Sequence, residues 1–323
     1  MTSAATNSRS PQTRASGGWL DPLALMRIQN LELRARMVVE GLFSGLHRSP
    51  YHGFSVEFTE YRQYSVGDDP RYLDWKLFAR SDRYYIKRFE DETNLRCQLL
   101  VDVSRSMSYD SVGYSKADYA RTLAATLAYF LHSQRDATGL LTFAEHTLDY
   151  LPARYRPGHL RRLMLLCDQP TRGAATNLTA PLERMLALLN KRSTIVLLSD
   201  LLAPLAGLQT ELAALAARGH ELIVFQILDP AETRFEFAEP ALFVDVETGK
   251  ELHIDPQAAR AEYLRRFEEH QRELRQIVDH QGIDYRLITT DQPLEQALFE
   301  YLQMRSRRGS GRGRTTNRRG APR

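Results

Sequence analysis

Apolar and polar positions follow two different periods along the chain, which predicts a mixed α/β protein. Five apolar runs of five to seven residues predict strands. These runs are Leu95–Val101, Thr138–Phe143, Thr194–Leu198, Leu222–Leu228 and Tyr285–Thr289. Between them, apolar residues three and four positions apart predict helices at Ala117–Leu131, Pro181–Asn190 and Leu205–Arg218. Near-continuous apolar strands separated by helices are typical of a doubly wound, mainly parallel sheet covered on both faces.

Further helices, short strands and a hairpin are predicted outside this alternation of strands and helices. Apolar spacing predicts a helix over Pro22–Leu46 and another at Pro293–Arg305, and a long charged helix is predicted over Pro256–His280. Aromatic and charged residues alternate between Tyr51 and Asp91, which indicates short strands and turns. Phe235–Ile254 is interpreted as an inserted hairpin that turns at 247–249.

These patterns divide the chain into four parts. Residues 1–17 are predicted to be disordered, and 18–92 to form a helix and a β-rich region. Residues 93–306 form the predicted α/β domain, and 307–323 are predicted to be a disordered Arg/Gly tail.

Composition excludes several classes of protein. A hydrophobic fraction of 43% with 26% charged residues is ordinary for a soluble globular protein. Neither a signal peptide nor an apolar run long enough to span a membrane is visible, so we expect a cytoplasmic protein. The two cysteines, Cys97 and Cys167, lie in apolar runs, which favours core packing over a disulfide framework or a zinc site.

The net charge of +3 comes from the end of the chain. Eight arginines and no acidic residue follow Met304, which leaves 35 basic and 40 acidic residues in the rest of the chain. The folded part is therefore not expected to attract polyanions in general. Nucleic acid is a candidate partner only for the tail, where a solvated, unstructured terminus is the favoured interpretation.

Three segments carry the candidate chemistry. Asp102, Ser104 and Ser106 form an Asp-x-Ser-x-Ser pattern directly after a buried strand. Thr176 lies on a second loop, and Asp200 follows another apolar strand. Carboxylate and hydroxyl oxygens are hard ligands suited to magnesium or calcium. Because ligands of open α/β sheets bind beyond the carboxyl ends of the strands, these five residues are candidate ligands of one divalent cation.

These three segments resemble the metal-ion-dependent adhesion site of the von Willebrand factor A domain. The resemblance implies a magnesium ion held by the serine and threonine hydroxyls, with the aspartates acting mostly through water. It also implies that an Asp or Glu carboxylate of a protein partner completes the metal's coordination. The family often has a glycine immediately before the threonine, whereas this chain has Ala175 there and Gly173 two positions earlier, so Thr179 is an alternative to Thr176.

Two other interpretations of the same residues are possible. In the first, the serines and aspartates only cap helices of an α/β domain. In the second, the Asp102 loop serves a metal-dependent hydrolase of phosphate esters. The chain has neither a phosphate-binding P-loop nor a Gly-x-Ser-x-Gly motif. Binding without catalysis is therefore the preferred hypothesis.

A second set of residues precedes the apolar alternation and resembles the domain-of-unknown-function family numbered fifty-eight. The motif Leu228–Glu232 also resembles that family. The resemblance implies a von Willebrand factor A-like core and an adaptor role beside a MoxR-type AAA+ ATPase. The residues that carry it in the first block are His47–Pro50, Gly53, Glu57–Phe58, Tyr61–Tyr64, Gly67–Arg71, Asp74–Trp75, Ala79–Arg80, Lys87 and Glu92–Thr93.

The charges of this block have two possible roles. They can form a structural network beside Trp75, or they can form a docking surface for the partner. The residues concerned are Arg62, Arg71, Arg80, Asp68, Asp69 and Asp74.

Overall fold

Strands and helices alternate along most of the chain in the computed structural model, which describes residues 19–48, 61–63, 85–87, 95–173, 175–237, 241–244 and 251–312. The strands are β1 Tyr61–Gln63, β2 Tyr85–Lys87, β3 Arg96–Asp102, β4 Ala137–Phe143, β5 Thr147–Arg154, β6 Thr194–Ser199, β7 Glu221–Leu228, β8 Ala241–Val244, β9 Glu251–Ile254 and β10 Asp284–Thr289. The helices are α1 Pro22–Met26, α2 Leu31–Arg48, α3 Lys116–Ser133, α4 His159–Cys167, α5 Thr179–Leu188, α6 Leu208–Ala217, α7 Pro230–Arg234, α8 Pro256–His280 and α9 Leu294–Arg312.

Six strands form one sheet in the order β10-β7-β6-β3-β4-β5. Neighbouring strands are parallel except β4 and β5, which are antiparallel. This arrangement confirms the predicted mainly parallel α/β sheet. All five strands predicted from apolar runs are present, with ends that differ by one residue.

Alternate side chains of the strands enter two separate cores, one on each face of the sheet. On β3, Leu99 and Val101 pack with α2, α3, α4 and α9. Leu100, between them, packs with α5, α6 and α8 on the opposite face. Because side chains of a strand point alternately to its two faces, a strand covered on both is mostly apolar, and a polar residue such as Gln98 on β3 needs a buried hydrogen-bond partner. This explains the continuous apolar runs and confirms the doubly wound architecture.

The central strand β3 lies at the point where the strand order reverses. The chain first adds β4 on one side of β3 and later returns to add β6 on the other. The loops that leave β3 and β6 therefore diverge at the carboxyl edge, which leaves a crevice where such sheets bind ligands. Asp102 ends β3, and Asp200 directly follows β6.

The predicted single helix over Pro22–Leu46 is wrong, because the segment forms the two helices α1 and α2. The side chain of Asp21 accepts a hydrogen bond from the backbone of Leu23 (3.1 Å). Asn30 accepts another from the backbone of Leu33 (2.9 Å) at the start of α2. An asparagine that caps a new helix competes with continuation of the preceding one.

Three elements were not predicted, namely the edge strand β5 and the helices α4 and α7. Pro152 lies within β5, and proline has no N–H to donate to a neighbouring strand. An edge strand tolerates this residue, since one of its sides needs no partner in the sheet.

The tail prediction is wrong at its start, because α9 continues to Arg312 instead of ending at Arg305. Arginine has a high helix propensity, and its charge is favourable near the carboxyl end of a helix. The rest of the tail, 313–323, lies outside the described residues, as do 1–17.

The structure describes only part of the N-terminal β-rich region and of the inserted hairpin. In the N-terminal region, β1 and β2 form an antiparallel pair, whereas most of the charged block around Trp75 lies outside the described residues. The inserted hairpin is confirmed by the antiparallel pair β8 and β9, and its turn at 247–249 is not among the described residues. No helix of the described part of the chain is both long and apolar enough to cross a membrane.

A glycine in β4 lets a buried side chain reach across the sheet. The amide of Gln98 on β3 donates a hydrogen bond to the carbonyl of Leu151 on β5 (3.2 Å). Its path passes Gly139, where a Cβ would lie 2.6 Å from the backbone nitrogen of Ala153 and 2.6 Å from the Leu151 oxygen. The pairing of β4 with β5 shifts register at this position. Gly139 therefore provides the space that joins the antiparallel edge strand to the parallel sheet.

Replacing Gly139 with alanine is predicted to destabilise the protein by about 1–3 kcal/mol, the usual range for overpacking a core. Urea unfolding followed by circular dichroism measures this change. The double variant Gln98→Ala/Gly139→Ala should not recover the loss, because backbone atoms also occupy the space. An unchanged unfolding midpoint in Gly139→Ala would contradict this account of the sheet.

Candidate metal site

The carboxylate of Asp102 is completely buried at the end of β3 and is held by hydrogen bonds to two loops. Its Oδ1 accepts from the backbone N–H of Ser104 (2.9 Å), which turns the chain back over the strand. Its Oδ2 accepts from the hydroxyl of Ser199 at the end of β6 (2.6 Å). Asp102 therefore fixes the first loop and ties it to the neighbouring strand.

The two serines that follow Asp102 lie together. The chain enters a short 3₁₀ turn at Arg105–Ser108, and this turn places Ser106 over Ser104. Their hydroxyl oxygens are 3.1 Å apart. Ser104 is buried and Ser106 is partly exposed, so the pair opens to solvent on one side.

The second loop approaches the first through backbone contacts. The N–H of Arg172 donates to the carbonyl of Val103 (2.8 Å), and that of Asn177 donates to the carbonyl of Ala144 (2.9 Å). Gly173 has a φ of +89° and lies so close to Ala144 that a Cβ would be 2.5 Å from the Ala144 methyl group. These contacts place the loop that carries Thr176 beside the residue that follows Asp102.

The two threonine candidates differ in their surroundings. Thr176 is half-buried on this loop. Thr179 begins α5, where its hydroxyl donates to the side chain of Asn177 (2.8 Å). The same Asn177 oxygen accepts from the backbone of Thr179 (3.0 Å). Thr179 is thus engaged at the start of a helix, but its hydroxyl oxygen keeps lone pairs for a metal, so both threonines remain candidates.

Asp200, on the third loop, forms an ion pair that was not predicted. Its Oδ2 is 2.8 Å from the ammonium of Lys116, which begins α3. The same ammonium is 2.6 Å from Oε1 of Glu232 on α7. Lys116 is completely buried, with 0% of its side chain exposed. Oδ1 of Asp200 accepts only a longer bond, from the backbone of Leu202 (3.3 Å), and this oxygen is the one left for a water-mediated contact.

Leu201 turns the third loop sharply after Asp200. Its φ of +54° lies in the left-handed region, which is uncommon for a leucine. Two hydrogen bonds hold it, one from its N–H to the Ser199 hydroxyl (3.1 Å) and one from the His270 ring to its carbonyl (2.6 Å). The surrounding structure thus imposes this conformation, which leaves Leu202 at the surface beside the site.

Burial and charge set the protonation of these groups. Burial, together with the nearby charge of Asp200, raises the pKa of Asp102 to about 7, although the hydrogen bonds from Ser104 and Ser199 act in the opposite direction. Burial alone would lower the pKa of Lys116, but the carboxylates of Asp200 and Glu232 outweigh it, so this pKa is raised. Lys116 is therefore a permanent cation next to the candidate ligands.

The motif Asp229–Glu232 joins the same network. Asp229 caps α7 and accepts hydrogen bonds from the backbone (2.8 Å) and the hydroxyl of Ser111, on the segment between β3 and α3. Glu232 accepts from the backbone of Asp229 (2.9 Å) through Oε2 while Oε1 pairs with Lys116. The motif therefore anchors the segment after the Asp-x-Ser-x-Ser loop at Ser111 and at the start of α3.

The residues present fit a hydroxyl-rich magnesium site. Adjacent ligands of an octahedral magnesium ion at about 2.1 Å lie about 3.0 Å apart, and the hydroxyls of Ser104 and Ser106 are separated by 3.1 Å. A cation there would also favour the ionised form of Asp102, which burial disfavours. Within the described residues, no three His, Cys, Asp or Glu side chains are grouped so as to hold a metal, so a site here depends on hydroxyls.

Lys116 was missed, although the sequence carries a signal for it. It lies on the buried face of α3, in line with apolar residues three, four and seven positions further along the helix. These residues are Tyr119, Ala120 and Leu123. A charged residue on an apolar helix face needs a buried partner of opposite charge. This pattern predicts that such a partner exists, but only the fold identifies it as Asp200 and Glu232.

Replacing Lys116 with methionine is predicted to destabilise the protein by about 3–5 kcal/mol, because two carboxylates lose their buried cation. Denaturant unfolding measures this loss. Lys191→Met removes an exposed ammonium and should have almost no effect. The double variant Lys116→Met/Glu232→Gln should recover part of the stability. A Lys116→Met protein as stable as the wild type would show that the network is not structural.

Solved structures similar to this chain have low sequence identity. A hypothetical protein named BatB from Bacteroides thetaiotaomicron is 13% identical, with a TM-score of 0.45 over 66% of this chain and 99% of its own. An aerotolerance-related membrane protein from Bacteroides fragilis is 16% identical, with a TM-score of 0.42 over 65% and 99%. The VWA domain of SpRpn10 is 14% identical, with a TM-score of 0.38 over 63% and 93%.

Sequence comparison gives a more direct assignment. Uncharacterized proteins of Mycobacterium tuberculosis (Rv1480) and Mycobacterium bovis (Mb1516) are each 26% identical to this chain over 302 residues. In both cases the match covers 92% of this chain and 94% of the relative. The model of the family described as "Protein of unknown function DUF58" matches residues 60–273, more than half of the chain. The chain therefore belongs to the DUF58 family.

Proposed function

We propose that this protein is a non-enzymatic, metal-dependent protein-interaction module. The observation that carries the proposal is the pair of serine hydroxyls, 3.1 Å apart, above the buried carboxylate of Asp102. Their separation suits two adjacent ligands of magnesium, and a hydroxyl-rich site neutralises little of the ion's charge. Such a site favours an additional anionic ligand from outside the chain.

In this proposal each candidate residue has a separate role. Ser104, Ser106 and Thr176 would hold the ion through their hydroxyls, while Asp102 and Asp200 would accept hydrogen bonds from its waters. When bound, the ion supplies a positive charge that attracts a carboxylate. Asp102 already accepts from Ser104 and Ser199, and each carboxylate oxygen has a second lone pair to offer a water.

The carboxylates of Asp102 and Asp200 already form hydrogen bonds or an ion pair within the chain, which favours binding over catalysis. A metal-dependent hydrolase needs a group that accepts a proton from water near the ion. Asp102 accepts two hydrogen bonds, and Asp200 is paired with the Lys116 ammonium. Both carboxylates are therefore committed to structural contacts, and the lone pairs that remain on them suit holding the ion's waters in place.

The partner proposed from this chemistry is a protein that presents an Asp or Glu side chain. The resemblance to the DUF58 family further supports a MoxR-type AAA+ ATPase as a partner, with this chain as an adaptor in the assembly or maturation of another complex. Leu202, exposed beside Asp200, adds an apolar contact for a docked protein.

The metal proposal predicts that magnesium binds the wild type and binds Ser104→Ala/Ser106→Ala at least about tenfold more weakly, since two of the few direct ligands are lost. Isothermal titration calorimetry measures both affinities. Ser108→Ala is the matched control, because this serine lies on the same turn and donates its hydroxyl to the Arg105 carbonyl (2.6 Å). Comparing Thr176→Ala with Thr179→Ala then decides between the two threonines. Equal affinity in the serine double variant would rule out this site.

The interaction proposal predicts that partner proteins are captured from a lysate of the native organism with magnesium and released by EDTA. Mass spectrometry of the released fraction should identify an AAA+ ATPase, and Ser104→Ala/Ser106→Ala should capture much less of it. Capture that is equal with and without magnesium would contradict the mechanism. Turnover of a phosphate ester that requires Ser104 would favour the hydrolase instead.

A further inference from the structure

A cationic groove lies at the amino end of the sheet, on the side opposite the candidate metal site. The groove has a volume of about 610 Å³ and is lined by Arg96, Ala137 and the segment Pro152–Arg156. A second depression of about 260 Å³ shares Arg96, Pro152 and Ala153 with it and extends it to Lys191. The two depressions form one continuous surface.

The charged side chains described along this surface are all positively charged. Arg96, Arg154, Arg156 and Lys191 are exposed along it, and none of the described residues that line either depression is acidic. None of the three arginines forms an ion pair with another residue that the structure describes. The groove arginines are therefore available to a ligand.

The groove also offers apolar and backbone contacts. Tyr155 is 48% exposed and packs its ring against His132, with ring centroids 5.0 Å apart. Arg154 is the last residue of β5, and β5 lies at one edge of the described sheet. An edge strand presents unpaired backbone groups that an extended chain can bind.

We propose that this groove binds an extended acidic segment of a partner protein. Guanidinium groups bind carboxylates through two parallel hydrogen bonds, so three arginines along one groove suit a run of Asp or Glu side chains. A long nucleic acid is a poorer occupant, because residues 1–304 include five more acidic than basic residues and would repel phosphates beyond the groove.

The groove and the candidate metal site are separate surfaces joined by one strand. Arg96 begins β3 and Asp102 ends it, so the two lie about 20 Å apart at the rise of a β-strand. A partner segment in the groove would not occupy the metal site. This second surface goes beyond the proposed metal-dependent contact and can be tested without it.

Fluorescence anisotropy with a labelled decaglutamate peptide tests the groove, in low salt and with EDTA so that metal binding plays no part. The wild type should bind the peptide, and Arg154→Glu/Arg156→Glu should bind it at least about tenfold more weakly. Arg161→Glu/Arg162→Glu is the matched control, because it makes the same charge change at two exposed arginines of α4 that do not line the groove. The control should stay within twofold of the wild type.

Three results would overturn the proposal. The first is no peptide binding by the wild type, and the second is an equal loss in both charge-reversal variants. The third is evidence of a phosphate site. Such evidence would be tighter binding of a single-stranded oligothymidine than of the peptide, or full displacement of the peptide by millimolar inorganic phosphate. Thermal unfolding of all variants checks that each is folded, and none of these results depends on whether Ser104 and Ser106 bind magnesium.

Discussion

The buried ammonium of Lys116 determines how the loops at the carboxyl edge of the sheet fit together. It lies at the start of α3 and contacts carboxylates from the end of β6 and from α7. A buried charge is tolerable only when it is paired, so these three elements must meet in one arrangement. Asp229, one turn before Glu232, then holds Ser111 and with it the segment between β3 and α3. The interaction thus links four separate parts of the sequence.

The same ion pair changes the electrostatics of the candidate metal site. Without Lys116, the carboxylates of Asp102 and Asp200 would face each other in a buried crevice with no compensating charge. With it, Asp200 keeps only one oxygen for a water-mediated contact, and Asp102 has no cationic partner among the described residues. A cation bound by Ser104 and Ser106 would offset that remaining charge. The net negative charge available to the ion is then small, which favours a further carboxylate from outside.

The sequence was sufficient to predict the parts of the fold that depend on local pattern. Continuous apolar runs predicted β3, β4, β6, β7 and β10, because strands buried on both faces favour apolar side chains at most positions. The edge strand β5 escaped prediction because one of its sides is unpaired in the described sheet and Pro152 lies within it. The break between α1 and α2 was missed because Asn30 is an ordinary polar residue until its side chain is seen to cap α2.

As with the fold, the sequence predicted the residues of the candidate site and the loops that carry them, but not the contacts between those loops. The order Asp102, Ser104, Ser106, Thr176 and Asp200 along the chain predicted where each loop leaves the sheet. The contacts that fix those loops could not be predicted, because Ser199, Lys116 and Glu232 are distant in sequence and each is unremarkable by itself.

Strand β3 connects the candidate metal site at one of its ends with the cationic groove at the other. Its interior residues, from Cys97 to Val101, are buried between two cores, so the strand is rigidly held along its length. Arg96 faces solvent at one end, and Asp102 orders the loop at the other. Both proposed ligands are acidic, but they are recognised differently: a single carboxylate completes a metal site, whereas a run of carboxylates matches spaced guanidinium groups. A rigid strand that keeps two such surfaces about 20 Å apart suits a protein that holds two partners at a fixed separation.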